Sequence, residues 1–347
     1  MACLAASCAI GIFCPREKKG RAGAIVGDPR LVVPWRDPIR ILLTGATGQI
    51  GRELRSTLRP LGEVIATDRA ALDLTDADAI RRVIRRHYPE IIVNAAAYTQ
   101  VDNAEIEQDL AMKVNGIAPG IIAEEAQRSH CAMVHYSTDY VFSGSLGRPY
   151  LEDDAPDPIN VYGATKLAGE EAIRAVGVPN LIIRTSWVFD SRGKNFLNTI
   201  LKLARERDEL RVVYDQIGIP TWSRAVAEAT AQILTQVARR NEAIVEGIGN
   251  ASGTYHLCAE DPTSWFGFAK EIVKRYGRGA ESDSSRVLRT RSVTPISSAE
   301  YPTRAKRPRY SVLSPRKIAK AFGTVIPSWR NQLEQVLEEL RTTPRSD

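Results

Sequence analysis

From Ile39 onward the chain alternates between two textures. Short aliphatic runs such as "IRILLT" (39–44), "EVIAT" (63–67), "IIVN" (91–94) and "MVHYST" (133–138) end in small or polar residues. Between them apolar residues fall three and four apart, as in "ADAIRRVIRRH" (77–87). Runs that are apolar throughout suit strands buried on both faces, and the wider spacing suits amphipathic helices. The alternation predicts an α/β fold with a doubly wound parallel sheet. A cap at Thr75 or Asp76 should open the 77–87 helix, and Pro89 should end it. "DQIGIPTW" (215–222) reads as an irregular loop before a helix, and "WRNQLEQVLEEL" (329–340) as an amphipathic helix that serves packing.

The first strand leads into "TGATGQIGRELRSTL", with glycines at 45, 48 and 51. Gly45 permits a tight turn, Gly48 lets a phosphate approach the backbone, and Gly51 lets the helix pack on the strand. Gln49 and Ile50 lie between them. The helix start then offers unpaired N–H groups and a positive dipole end to a pyrophosphate. The spacing is Gly-x-x-Gly-x-x-Gly, and its place between strand and helix is what gives it meaning. Asp68 ends the second strand. A carboxylate there can accept from adenosine ribose hydroxyls, which favours NAD; the adjacent Arg69 can offset a 2′-phosphate, which favours NADP. Both NADH and NADPH therefore remain open, as does a plain cap or loop role for Asp68. Asp73 and Leu74 lie where an adenine ring can be gripped. Ala95, Ala96 and Ala97, followed by Tyr98 and Thr99, are small enough at first to admit a flat cofactor, or to pack helix on sheet. Ser137, Thr138 and Asp139 end the fourth strand, on the side where such sheets bind ligands, although three polar residues also suit a turn.

Composition narrows the class. Of 347 residues 44% are hydrophobic and 25% charged, as in an ordinary globular protein, and the length suits two domains or one elaborated one. The net charge of 47 − 41 = +6 comes from scattered basic residues with few aromatics, so no nucleic-acid partner is expected. No apolar run is long enough to predict a membrane span. The five cysteines (Cys3, Cys8, Cys14, Cys131, Cys258) show neither a disulfide framework nor metal spacing, which fits a reducing cytoplasm. Residues 1–38 differ in texture and read as a disordered extension, or as a start codon assigned too far upstream.

The stretch "NVYGATKLAGEEAI" (160–173) sets Tyr162 and Lys166 four apart on a helix. Such residues share a face, and an ammonium beside a phenol favours the phenolate. A tyrosine tuned in this way can pass a proton to a carbonyl oxygen. A spacing this short also arises by chance, so the surrounding blocks decide.

Those blocks are "NAAAYTQVDNAE", "HYSTDYVFSG", "VYGATKLAGE", "RTSWVF" and "DQIGIPT", in that order, after the glycine turn. Together they resemble the extended short-chain dehydrogenase/reductase superfamily and, within it, the dTDP-4-dehydrorhamnose reductases, from about Ile39 to Leu340. The resemblance implies a Rossmann-type domain over 39–185, with 220–258, and a smaller C-terminal substrate-binding α/β part over 186–219 and 259–340. It implies reduction of a C4 ketone on a dTDP-sugar by NADPH or NADH, with Tyr162 as acid and Lys166 tuning it and bonding the nicotinamide ribose. Thr138 would polarise the carbonyl, a bond worth roughly 2.7–4 kcal/mol when aimed at developing charge. Asn115 would support the cofactor, Asp139 a sugar hydroxyl, and Trp187 would stack on the deoxysugar. Arg304, Lys306 and Arg307 could face the diphosphate, or could form an exposed charged loop. Some relatives are thought to dimerise around magnesium held by glutamates. Glu53 fits that pattern, but Arg224 stands where a second glutamate would be, so Mg²⁺ is doubtful, no metal site is expected, and a monomer or homodimer remains open.

Two rivals remain. An epimerase shares the tyrosine and lysine, as does a related 4-keto-6-deoxysugar reductase. A dehydratase would need Asp-Glu after the threonine, where this chain has Asp139-Tyr140. A cofactor-binding regulatory subunit would be expected to lose a catalytic residue, and none of Thr138, Tyr162 and Lys166 is lost.

Overall fold

Six parallel strands form the central sheet of the computed structural model, which describes residues 38–240, 243–277 and 287–342. They are β1 (Ile39–Thr44), β2 (Gly62–Thr67), β3 (Ile91–Asn94), β4 (Ala132–Thr138), β5 (Asn180–Thr185) and β6 (Gly253–His256), in the order β6-β5-β4-β3-β1-β2. The extension expected over 1–38 lies outside the described residues except for Pro38. β1, β3, β4 and β5 are buried almost throughout, which explains their unbroken aliphatic runs. The pairing aligns their polar ends: Thr44 faces Thr67 and Asn94, and Thr138 faces Thr185.

Helices cover both faces. Leu42, Ile92, Met133 and Ile182 pack in one cluster with Ile80 and Ile84 of α2 (Ala77–His87), Ile122 and Ala126 of α3 (Ala118–Arg128), and Ile173 of α4 (Val161–Val176). Alternate residues of each strand turn to the other face, as the pleat requires. There α1 (Gln49–Thr57) packs against α6 (Ser223–Arg240). Asp76, rather than Thr75, opens α2, its carboxylate accepting from the N–H groups of Asp78 and Ala79 at 2.9 Å. Tyr88, at φ +45°, closes α2 ahead of Pro89. Asn160 caps α4 by accepting from the Gly163 N–H at 2.8 Å, and Gly177, at φ +74°, ends it.

Short strand pairs occupy the C-terminal side of the sheet. Val188–Phe189 pairs with Thr221–Trp222, Ile217–Gly218 with Thr263–Ser264, and Glu209–Val213 with Ser292–Ile296. The 215–222 segment is therefore more regular than its sequence suggested: its short strands are made by partners distant in the chain. Helices α5 (Phe196–Glu206) and α7 (Trp265–Tyr276) pack beside them, and α8 (Trp329–Thr342) buries Trp329, Leu333, Val336 and Leu337. No helix among the described residues is long and apolar enough to cross a membrane.

Candidate active site

A cleft of about 830 Å³ opens beyond the carboxyl ends of β1, β3 and β4. This is where the strand order reverses, because β1 connects outward to β2 and the chain then returns to β3 on its other side. At one end lies the glycine turn. Gly45 has φ +69°, and a Cβ there would come within 2.6 Å of the Ala96 backbone. A Cβ on Gly51 would lie 2.1 Å from the Gly45 carbonyl oxygen, so only glycine lets α1 approach this closely. Gly48 lines the cleft and opens α1 with no side-chain cap, and the first turn of α1 holds no acid. Its donors and positive end are thus left for an anion. Gln49 and Ile50 line the same wall, and the buried Gln49 Oε1 has no protein partner. These features fit a dinucleotide pyrophosphate.

Asp68, Arg69, Asp73 and Leu74 line the next stretch. Asp68 Oδ1 accepts from the N–H groups of Ala70 and Ala71 in a turn, so it also has the loop role open to it from sequence. Asp73 accepts from the Thr75 N–H and hydroxyl, which hold its pKa below the usual carboxylate value. Ala95, Ala96, Ala97, Tyr98 and Thr99 line the floor.

Asn115 does not line the cleft. It is buried in a π-helical turn (Lys113–Ile117) and bonds the Tyr98 N–H at 2.8 Å, the Tyr98 carbonyl at 3.0 Å and the Thr165 hydroxyl at 3.2 Å. It therefore fixes the loop that forms the floor of the cleft.

Thr138 and Tyr162 line the other end of the cleft, and the Thr138 hydroxyl draws the phenol pKa down. Desolvation outweighs that effect, with a further contribution from the Asp139 charge, and pushes the Tyr162 phenol up to about 12. Lys166 is 1% exposed, and its Nζ donates to the Tyr136 carbonyl at 2.6 Å and lies 3.1 Å from His135 Nε2. Burial pushes its pKa down to about 8. The lysine thus turns toward the sheet, and burial favours the neutral phenol, opposite to the acidification expected from the spacing alone.

Asp139 lines the cleft, but both of its oxygens are engaged, Oδ1 by the Thr138 hydroxyl at 3.0 Å and Oδ2 by the Ser311 hydroxyl at 2.5 Å. Burial raises its pKa to about 7. Trp187, at φ +44°, is stacked on Trp265 at 3.4 Å between ring centroids, and the Gly218 backbone lies against its indole. Much of its ring is thus already covered. Arg307 lines the cleft, held by Asp102 at 2.6 Å, whereas Arg304 and Lys306 are exposed outside it. The sequence reading missed Trp265, Lys194 and Arg52, which also line the cleft. The residues around Lys194 carry no motif; only the strand pairing brings them over the sheet.

Glu53 is 5% exposed and accepts from Arg224 at 2.8 Å and Arg192 at 3.3 Å, and Arg224 also bonds Glu339. A guanidinium thus stands between the two carboxylates. No cluster of metal-ligating residues occurs among the described residues.

A glycine turn at a topological switch point, facing a tyrosine and lysine one helical turn apart, defines a Rossmann-type oxidoreductase that uses a nicotinamide cofactor. A family model described as RmlD substrate binding domain matches residues 39–342, and the chain belongs to that family. It is 43% identical to a dTDP-4-dehydrorhamnose reductase of Burkholderia thailandensis over 292 residues, 84% of this chain and 96% of that one. The fold is similar to the crystal structure of a Clostridium acetobutylicum dTDP-4-dehydrorhamnose reductase (TM-score 0.78, 34% identity, covering 88% and 100% of the two chains). It is also similar to that of the Bacillus anthracis enzyme in complex with NADP (TM-score 0.75, 35% identity, 87% and 99%).

Proposed function

We propose that the protein reduces the C4 ketone of dTDP-4-dehydro-β-L-rhamnose to dTDP-L-rhamnose, using NADPH or NADH. The observation that carries this reading is that Thr138, Tyr162 and Lys166 line the same cleft as the glycine turn, in a member of this reductase family.

A bound reduced nicotinamide supplies the hydride to C4. Tyr162 supplies the proton to the carbonyl oxygen. A phenol held near 12 keeps that proton at neutral pH and releases it only to a strongly basic oxygen, such as one gaining an electron pair from hydride addition. Thr138 orients the phenol, and the Tyr140 N–H bond to its hydroxyl at 3.1 Å fixes its position. Gly45, Gly48 and Gly51, with Gln49 and Ile50, hold the pyrophosphate; Asp68, Asp73 and Leu74 hold the adenosine. Asp68 and Arg69 together allow either cofactor. Lys166, which lines the same cleft, would bond the nicotinamide ribose. Trp187 and Trp265 form the aromatic wall on the sugar side.

The division of labour follows: residues 39–185 and 220–258 carry the cofactor, and 186–219 and 259–340 the sugar nucleotide. We place the protein in the cytoplasm, as a monomer or homodimer. The Arg224 guanidinium on Glu53 argues against a tight Mg²⁺ site.

The deciding experiment follows absorbance at the reduced-nicotinamide band with dTDP-4-dehydrorhamnose and each cofactor. One NAD(P)H consumed per product supports the proposal. Isomerised sugar without cofactor consumption would mean an epimerase. Cofactor binding with no turnover would mean a regulatory subunit.

A further inference from the structure

The proposed chemistry uses Lys166 but not the buried group beside it. His135 is fully buried in β4, between two polar partners. Its Nδ1 lies 3.0 Å from Asn94 Nδ2, and its Nε2 lies 3.1 Å from Lys166 Nζ. The Asn94 amide cannot turn freely: its Oδ1 accepts from the Thr44 hydroxyl at 2.6 Å and the Ala96 N–H at 3.3 Å. Reversing the amide would set an NH₂ group against the Ala96 N–H. Asn94 Nδ2 therefore donates to His135 Nδ1, and a neutral imidazole that accepts at Nδ1 carries its proton on Nε2. That proton points at Lys166 Nζ, and only an amine lone pair can accept it.

We propose that His135 is a positioning residue that parks Lys166 on the sheet and favours its neutral amine there, so that cofactor binding both draws the lysine out and raises its protonation. This rests on the reading of Lys166 as a cofactor-facing group. The other charges near the pair are few. Glu170, on Lys166's own helix, favours the ammonium, but its carboxylate is bonded by Arg184 of β5, Arg174 and the Ser137 hydroxyl. Burial favours the amine, and burial first, then the charge of a protonated Lys166, holds His135 neutral, well below the usual histidine range. The chain Thr44–Asn94–His135–Lys166 thus runs from the edge of the glycine turn to the reaction end, and it fixes a tautomer along the way.

The wild-type protein itself provides the first test. His256 Nδ1 lies 3.1 Å from the Tyr150 carbonyl and must donate to it, so His256 is the Nδ1–H tautomer. His135 must be the opposite one, while His87 and His130 reach solvent. Nitrogen-15 NMR of the ligand-free protein should show two non-titrating rings of opposite tautomer. Two rings protonated on Nδ1 would overturn the proposal. The second test is calorimetry of NADP⁺ binding near pH 8 in two buffers of different ionisation enthalpy. Wild type should take up protons, and Lys166→Met should not. His135→Asn keeps a partner for Asn94 but leaves Lys166 unopposed, so the uptake should move up by about one pH unit. Absence of uptake in wild type, or uptake unchanged in His135→Asn, would overturn it. The spectrum decides even where a variant fails to fold. Neither readout depends on the identity of the sugar, so failure here leaves the reductase assay standing on its own.

Discussion

The two ends of the cleft are built from different materials. At the glycine turn the backbone forms the site: a positive φ at Gly45, a helix start without a cap, and contacts too close for any Cβ. At the reaction end buried side chains form it: Tyr162, Lys166, His135 and Asp139, each shifted from its ordinary pKa by desolvation first. A backbone site is specified by what the sequence omits. A side-chain site is specified by what packs around it. Damage to the first should therefore appear as lost stability and cofactor binding, and damage to the second as lost rate or altered pH dependence.

Substitutions can break that contrast. Tyr162→Phe removes the proton donor and should lower kcat by about 10²–10⁴-fold, with NADP⁺ affinity retained in a titration. A loss confined to binding would place the phenol on the wrong side of the comparison. Thr138→Val removes the hydroxyl that orients the phenol and should raise the barrier by roughly 2.7–4 kcal/mol, read from kcat/KM. Gly51→Ala drives a methyl into the Gly45 carbonyl and should lower unfolding free energy by about 1–3 kcal/mol, together with cofactor affinity. An unchanged denaturation midpoint would mean that the turn is not so tightly built.

The smallest effect sharpens the contrast through pH. The folded-state pKa of Asp139 is raised from 3.8 to about 7, so the native protein holds this proton after the unfolded chain has released it. That contribution to stability is complete below the unfolded value and is lost as pH rises through the folded one. Asp139→Asn cannot ionise. Wild type should lose stability relative to Asp139→Asn across that interval, as measured by denaturant midpoints at its two ends. A constant difference would show that the carboxyl is already ionised at the acid end.

The same division explains how far the sequence could be read. The strand–turn–helix pattern exposed the glycine turn because local steric rules act over a few residues. Tyr162 and Lys166 stood out by spacing, but the direction of the lysine did not, since Tyr136 and His135 reach it across the sheet. Asn115 bonds Tyr98 and Thr165, partners 17 and 50 residues away, which its sequence neighbours do not announce. Asp139 meets Ser311, and Arg307 meets Asp102, only after distant segments fold together. No periodicity encodes such meetings.

The strand order also has a consequence for synthesis. β6 covers the outer edge of β5, yet Gly253–His256 leaves the ribosome long after Asn180–Thr185. Until then β5 offers a row of unpaired amides and carbonyls to any passing strand. Between those two points the nascent chain carries the edge of a buried strand uncovered, while the nucleotide end of the cleft already has its parts.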